Sequence, residues 1–257
     1  MEKSIFVREF EEFGSKMYIL AILSVISIFT SGIIQLVMFI ILLISLKHIK
    51  DANQELNNEK LDKFRKYIIY SVIIGIIGGI VIITILSVVA VIFLQVFPGF
   101  VYIASFTVAD FQQLVPLIIT LLLVLLVGGF SVGIISLGFL YTAWKSLNLF
   151  LENNSGLFPD FIANKAIDGS GKIRKAYMLS LVNLIIGAIL VLVLILSFPL
   201  IQLIVIPLIE QTVPPVGLIV GFGAVFGILG IIMGIIGLIS FILMILGYFS
   251  LSDLRKL

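Results

Sequence analysis

The chain contains no cysteine and a single histidine, His48. Disulfides, iron–sulfur clusters and thiolate zinc sites are thereby excluded within it, as is a haem held by two histidines. Charge is scarce too: Asp, Glu, Lys and Arg make up 12% of the 257 residues, against about 25% in an average soluble domain. So little polar surface cannot cover a water-soluble core of this size. The net charge of +2 is small and dispersed over connections, so nucleic acid is not an expected partner. At the N-terminus, "MEKSIFVREFEEFGSKMYIL" carries Glu9, Glu11 and Glu12 where a cleaved signal would be basic and then apolar. The stretch reads as mature protein.

What is present is apolar sequence, 61% of the chain, gathered into runs too long for soluble strands or core helices. The class is an all-α, polytopic transmembrane bundle, and the lipid bilayer is its first partner. Ile5, Phe6, Phe10 and Phe13 fall on one helical face. That face suits either a helix at the lipid–water boundary or a polar extension of the first span. Met17 to Leu46 is apolar for 30 residues, long for one span of about 20 residues and short for two. The turn signal "TSG" at Thr30–Gly32 divides it into a predicted hairpin, about 13–30 and 32–50. After the charged 47–66, one span begins at Tyr67. A connection without Lys or Arg follows over 95–113, with a helix start expected at Thr107 and Asp110.

Leu114 to Ala143 is read as a second hairpin, broken at Gly128–Gly129, with Tyr141 and Trp144 at a membrane interface. The polar stretch 145–175 precedes a span over 177–198. The segment holding Pro199, Pro207, Pro214 and Pro215 reads as an interfacial loop or a partly re-entrant connection. A third long run covers 216–251. Three hairpins and two single spans make about eight spans in one transmembrane domain, 1–257.

The pattern recurs. "KFRKYIIYSVIIGIIGG" starts at Lys63 and "KIRKAYMLSLVNLIIGA" at Lys172, an offset of 109 that also aligns Ser71 with Ser180 and Gly78 with Gly187. "QLVP" at Gln113–Pro116 and "QTVP" at Gln211–Pro214 precede the later runs. The unit is hairpin plus single span, at about 13–95 and 107–198, with a partial third unit at 214–257. Internal repetition is common in membrane carriers, although apolar segments also resemble one another by composition alone. With eight crossings the two units are inverted, and residues 47–66 and 145–175 lie on opposite sides. With five crossings both basic stretches share a side, as the positive-inside bias prefers. Run length favours eight.

The final hairpin with "GILGIIMGIIGLISFILMILGYF" and then "SLSDLRKL" resembles a family of archaeal multi-spanning integral membrane proteins of unknown function. The resemblance implies a multi-pass protein of the cell membrane and supplies no site residue.

Chemistry is thinly written. "DGSGK" at Asp168–Lys172 lacks the first Gly and the final Ser or Thr of a phosphate loop, since Ala166 and Ile173 stand there. It reads as a flexible turn before a span. The deep spans hold no Asp, Glu, Lys, Arg or His, the groups a proton or ion carrier usually keeps there. Asn183 is their most notable polar residue, either a substrate ligand or a helix–helix hydrogen bond. Asp110 and Glu210 stand in the two Lys/Arg-free connections, either as a carboxylate pair at one mouth or as single surface acids. These three are the candidates for a polar pathway. His48 is expected to be interfacial. No catalytic, cofactor-binding or metal-ligating constellation assembles, so an enzyme is not expected. Gly223, Gly227, Gly230, Gly234 and Gly237 recur at helical spacing, a face on which two helices can approach closely. It serves either internal packing or a partner, whether a second copy or another membrane protein. The expected function is a non-catalytic membrane subunit or organiser packing through this face; the alternative is a carrier or channel for a small solute or ion built on inverted repeats.

Overall fold

In the computed structural model, residues 4–30, 33–96, 107–210 and 212–257 are described. They are helical: α1 (Ile5–Ile26), α2 (Ile33–Leu56), α3 (Glu59–Val96), α4 (Val108–Val124), α5 (Ser131–Asn153), α6 (Asp160–Leu196), α7 (Phe198–Ile209) and α8 (Val216–Leu251). A π-helical turn, Leu125–Phe130, joins α4 to α5, and a short 3-10 helix, Ser252–Lys256, ends the chain. Five helical stretches are long and apolar enough to cross a membrane: Ile33–Leu56, Glu59–Phe93, Val108–Asn153, Asp160–Leu196 and Val216–Lys256.

The first hairpin is present as α1 and α2. The eight-span reading is corrected at the other two. Residues 108–153 and 216–251 run on without reversing. Gly128 and Gly129 are absorbed into the π-helical turn, and the glycines of 216–251 stay inside α8. A helical glycine costs about 1 kcal/mol relative to alanine. An open turn in hydrocarbon strands peptide groups at several kcal/mol each, so the helix continues. Of the proline-containing segment expected as an interfacial loop or a partly re-entrant connection, Phe198–Ile209 is helix α7, with Pro199 in its first turn, where no N–H is missed, and Pro207 inside it, while Pro214 and Pro215 lie in the non-helical 212–215. The expected start at Thr107 is realised: Thr107 and Asp110 form a reciprocal capping box at the head of α4.

The described chain forms two compact units. The first comprises 1–73, 136–181 and 236–257; the second comprises 74–135 and 182–235. Helices α3, α5, α6 and α8 contribute to both, whereas α1 and α2 belong to the first alone.

The first unit has an aromatic core. Phe10 stacks on Phe150 with ring centroids 5.8 Å apart and meets Phe158 edge-on at 5.2 Å. Phe13 meets Phe64 at 6.2 Å, Phe64 meets Trp144 at 5.2 Å, and Trp144 meets Tyr248 at 6.1 Å. The N-terminal aromatic face is therefore turned to protein, not to the lipid boundary. Trp144, expected at an interface, is fully buried. Both departures have one cause: these helix ends are apolar because they build a protein core, and that core adds length to the runs that sequence alone assigns to lipid.

The same contacts bring together stretches that the inverted arrangement places on opposite sides. Phe6 N donates to Glu55 Oε2 at 2.8 Å, joining the start of α1 to the end of α2, while Phe10 packs on the end of α5. The stretches expected on opposite sides meet in one unit, as the positive-inside bias favours. The α2–α3 connection is tight: Asn57 takes a left-handed φ of 44°, and Asn58 Oδ1 accepts from Lys60 N at 2.9 Å. Residues 160–170, expected as part of a solvated loop, are the first turns of α6, with Ile162, Ala163, Ala166 and Ser170 buried.

Candidate functional site

The glycine-rich face of α8 is the strongest interaction signal in the sequence. A Cβ built on Gly223, Gly227, Gly230 or Gly234 meets nothing within 4 Å among the described residues. Gly237 lines a small cavity in the first unit. The glycines that admit neighbouring helices lie elsewhere. A Cβ on Gly169 would stand 2.7 Å from Gly247 O, and one on Gly247 would stand 2.8 Å from Gly169 O. Gly14 likewise seats the backbone of Leu254. In the second unit, Gly78 receives Val132, Gly133 receives Leu184, and Gly187 receives Phe130 and Met233. Sequence could not separate the two kinds, because spacing marks a helix face without saying what covers it.

"DGSGK" is therefore neither a phosphate loop nor a flexible turn. It lies inside α6, where Gly169 is the point of closest approach to α8. Asp168 Oδ2 accepts from Lys172 Nζ at 2.6 Å and from Ser250 Oγ at 3.3 Å.

The three pathway candidates have the following surroundings. The Asp110 carboxylate is occupied by its cap, accepting from Thr107 N at 2.9 Å and Thr107 Oγ1 at 2.7 Å. Glu210 is exposed just beyond the last residue of α7. No hydrogen bond or ion pair joins these two acids among the described residues. Asn183, half-buried in α6, keeps its Oδ1 buried without a hydrogen-bond partner. Among the described residues no group of three His, Cys, Asp or Glu side chains could hold a metal ion.

Glu9 and His48 form a polar contact that sequence reasoning missed. His48 was expected at the interface, and its Nδ1 lies 2.8 Å from Glu9 Oε2, with both side chains largely buried. A carboxylate only accepts, so Nδ1–H donates. The hydrogen bond from His48 holds the Glu9 carboxyl below the usual carboxylate range, and the neighbouring Arg8 adds to the effect. Glu9 and His48 are too far apart in sequence for any local spacing to reveal them.

Two serine pairs tie helices together. Ser71 Oγ and Ser136 Oγ are 2.7 Å apart, and Ser136 Oγ also lies 3.2 Å from Ser71 O. Ser180 Oγ and Ser240 Oγ are 2.8 Å apart, and Ser240 Oγ lies 2.8 Å from Ala176 O. A hydroxyl has one proton, so Ser136 and Ser240 donate to the carbonyls and accept from Ser71 and Ser180. The offset that aligns Ser71 with Ser180 thus has a counterpart in their bonding. Ser136 and Ser240 do not share that offset, and no sequence signal marks them as partners.

Two cavities lie among the described residues of the units. One of about 220 Å³ in the first unit is lined by Tyr177, Ser180, Gly237, Ser240 and Met244 among others, with its serine protons already committed. One of about 340 Å³ in the second unit is lined by aliphatic and phenyl groups, including Leu86, Phe93, Leu114 and Leu121. Neither brings together an acid, a base and a nucleophile. No protein-family model, curated protein or solved structure matches the chain.

Proposed function

We propose that the chain is a non-catalytic, multi-pass membrane subunit that packs through the glycine face of α8 against a transmembrane helix of another protomer or membrane protein. The observation that carries this reading is the open space above Gly223, Gly227, Gly230 and Gly234. Each helical glycine costs about 1 kcal/mol relative to alanine, and among the described residues these four return no close contact. In lipid, where apolar burial does not drive helices together, close backbone approach is what such a face offers. The multi-pass character rests on the long apolar stretches Glu59–Phe93, Val108–Asn153, Asp160–Leu196 and Val216–Lys256.

Within this reading the chain is built on two copies of a two-helix unit, α3 with α5 and α6 with α8. The paired serines support the equivalence.

The experiment uses the full-length protein in its own membrane. Gly230→Leu and Gly234→Leu should leave the melting temperature of the isolated protomer unchanged or slightly raised, since nothing in the chain is displaced. Each should abolish the cross-links that Gly223→Cys forms to a neighbouring subunit. Cross-links that persist in both leucine variants would refute the packing role.

A further inference from the structure

The α1–α2 hairpin poses a length problem. Its arms are bracketed by charge, with Lys16 before the apolar part of α1 and Lys47 after that of α2. Between Lys16 and the end of α1 lie Met17–Ile26, about 15 Å of helix at ~1.5 Å per residue. Ile33–Leu46 of α2 gives about 21 Å by the same rise. A hydrocarbon core is ~30 Å thick. By length and composition α2 alone qualifies as a span. Yet α1 and α2 return to the same place, since Phe6 N bonds Glu55 Oε2 and Glu9 bonds His48. A single crossing by α2 would carry α1 away from Phe150 and Phe158, on which Phe10 packs. The hairpin therefore crosses twice or not at all.

Three observations decide between these. First, the described tip residues pair part of their own backbone and both hydroxyls. Ser27 N, Ile28 N and Phe29 N donate to Leu23 O, Val25 O and Ile26 O at 2.8, 3.3 and 3.0 Å. Ser27 Oγ donates to Ser24 O at 2.7 Å, and Thr30 Oγ1 to Ile26 O at 3.3 Å. Backbone placed in hydrocarbon needs this internal pairing, whereas a tip in water does not. Second, the side chains there are apolar and outward: Phe29 is 82% exposed, Ile33 77% and Ile28 58%. The connections of the second unit carry an acid each, Asp110 and Glu210, while no charge lies between Lys16 and Lys47. Third, every other long helix contributes residues to both compact units, and α1 and α2 contribute to the first alone.

We infer that the α1–α2 hairpin does not cross the membrane but is a wedge embedded in one leaflet, its tip among the acyl chains and Lys16 and Lys47 at the depth of the phosphates. The partner of this surface is lipid. Phe29, Ile28 and Ile33 take acyl-chain interior, and the two ammonium groups extend to the headgroups. A wedge of this kind adds cross-section to one leaflet only, so it prefers a membrane curved away from that leaflet.

The test uses the full chain, which has no native cysteine to remove. Phe29→Cys, Thr30→Cys and Asn57→Cys are placed singly and treated in sealed vesicles with a membrane-impermeant maleimide from either side. Asn57→Cys should label from one side; Phe29→Cys and Thr30→Cys should label from neither until detergent is added. An environment-sensitive fluorophore on Phe29→Cys should then be quenched most by lipids bearing the quencher near the chain terminus. Labelling of Thr30→Cys from the side opposite Asn57 would mean a hairpin that crosses, and labelling from the same side would mean one lying outside the bilayer. Either result overturns the wedge, as would protection without quenching by lipid at any depth, which would mean that protein covers the tip.

Discussion

In the first unit, Phe10, Phe13, Phe64, Trp144 and Phe150 are buried to 1% exposure or less; in the second, the most buried large apolar side chains are Phe198, Phe111, Leu114 and Val191, at 6–8%. Every described Lys and Arg belongs to the first unit, and Asp110 and Glu210 are the only charged side chains among the described residues of the second. Two kinds of solvent explain the difference. Where water reaches the protein, burying an aromatic ring releases hydration and a closed core is favoured. Where lipid surrounds the helices, the outside is as apolar as the inside, and what remains is van der Waals contact at small residues. The glycine contacts at Gly78, Gly133 and Gly187 are of that second kind.

The largest test of this contrast removes rings. Trp144→Ala deletes a fully buried side chain and should cost about 3–5 kcal/mol, read as a lowered unfolding midpoint in detergent. Phe198→Ala in the second unit should cost clearly less, because the wild-type ring already faces an apolar surround. Equal losses would mean that both units are closed cores and would end the distinction.

Next come the glycines. Gly247→Leu forces side-chain volume against Gly169 O and Ile173 and should cost about 1–3 kcal/mol as an overpacked contact. A Cβ at Gly227 meets nothing within 4 Å among the described residues, so for Gly227→Leu the protomer's unfolding midpoint should hold or rise slightly. A comparable loss at Gly227 in the isolated protomer would show that its face is covered from within.

How much of this was legible depended on which solvent each residue meets. Membrane character, the first hairpin and the Thr107 cap were readable because composition, a turn triplet and a local capping pattern carry them. The count of eight was not, because a run such as 216–251 has the same composition whether its end lies in lipid or in a protein core. Tyr248 and Leu251 are buried by Trp144 and its neighbours, contacts from distant parts of the chain. For the same reason the Glu9–His48 contact had no local signature.

The Glu9–His48 contact gives the first unit an acid limit. Glu9 has its folded-state pKa lowered, chiefly by the His48 hydrogen bond, so its contribution is fully present above the ordinary glutamate value of about 4.3. It is lost as pH falls through the lowered value. Glu9→Gln should reduce stability by roughly 1.5–3 kcal/mol at neutral pH, the range for a hydrogen bond to a charged group. It should also flatten the fall in unfolding temperature below pH 5, as about one carboxylate's worth of linkage disappears. An acid limb of unchanged steepness would assign the pH dependence to other carboxylates.

The smallest effect tests the repeat. Ser71, Ser136, Ser180 and Ser240 all lie in the first unit, close in sequence to the points where α3, α5, α6 and α8 pass into the second. Each pair combines a hydroxyl–hydroxyl bond with a bond to a facing carbonyl. If the two pairs are copies of one element, double-mutant cycles over Ser71→Ala with Ser136→Ala and over Ser180→Ala with Ser240→Ala should return similar couplings. Couplings of about 0.6 kcal/mol are typical of hydrogen bonds between membrane helices, because the separated helices also find partners. Ser240→Ala should be the costlier single change, since its carbonyl bond, 2.8 Å, is shorter than the 3.2 Å bond of Ser136. A coupling near zero in one pair beside more than about 1.5 kcal/mol in the other would mean that the serines coincide by composition, and the equivalence of α3–α5 with α6–α8 would fall with it.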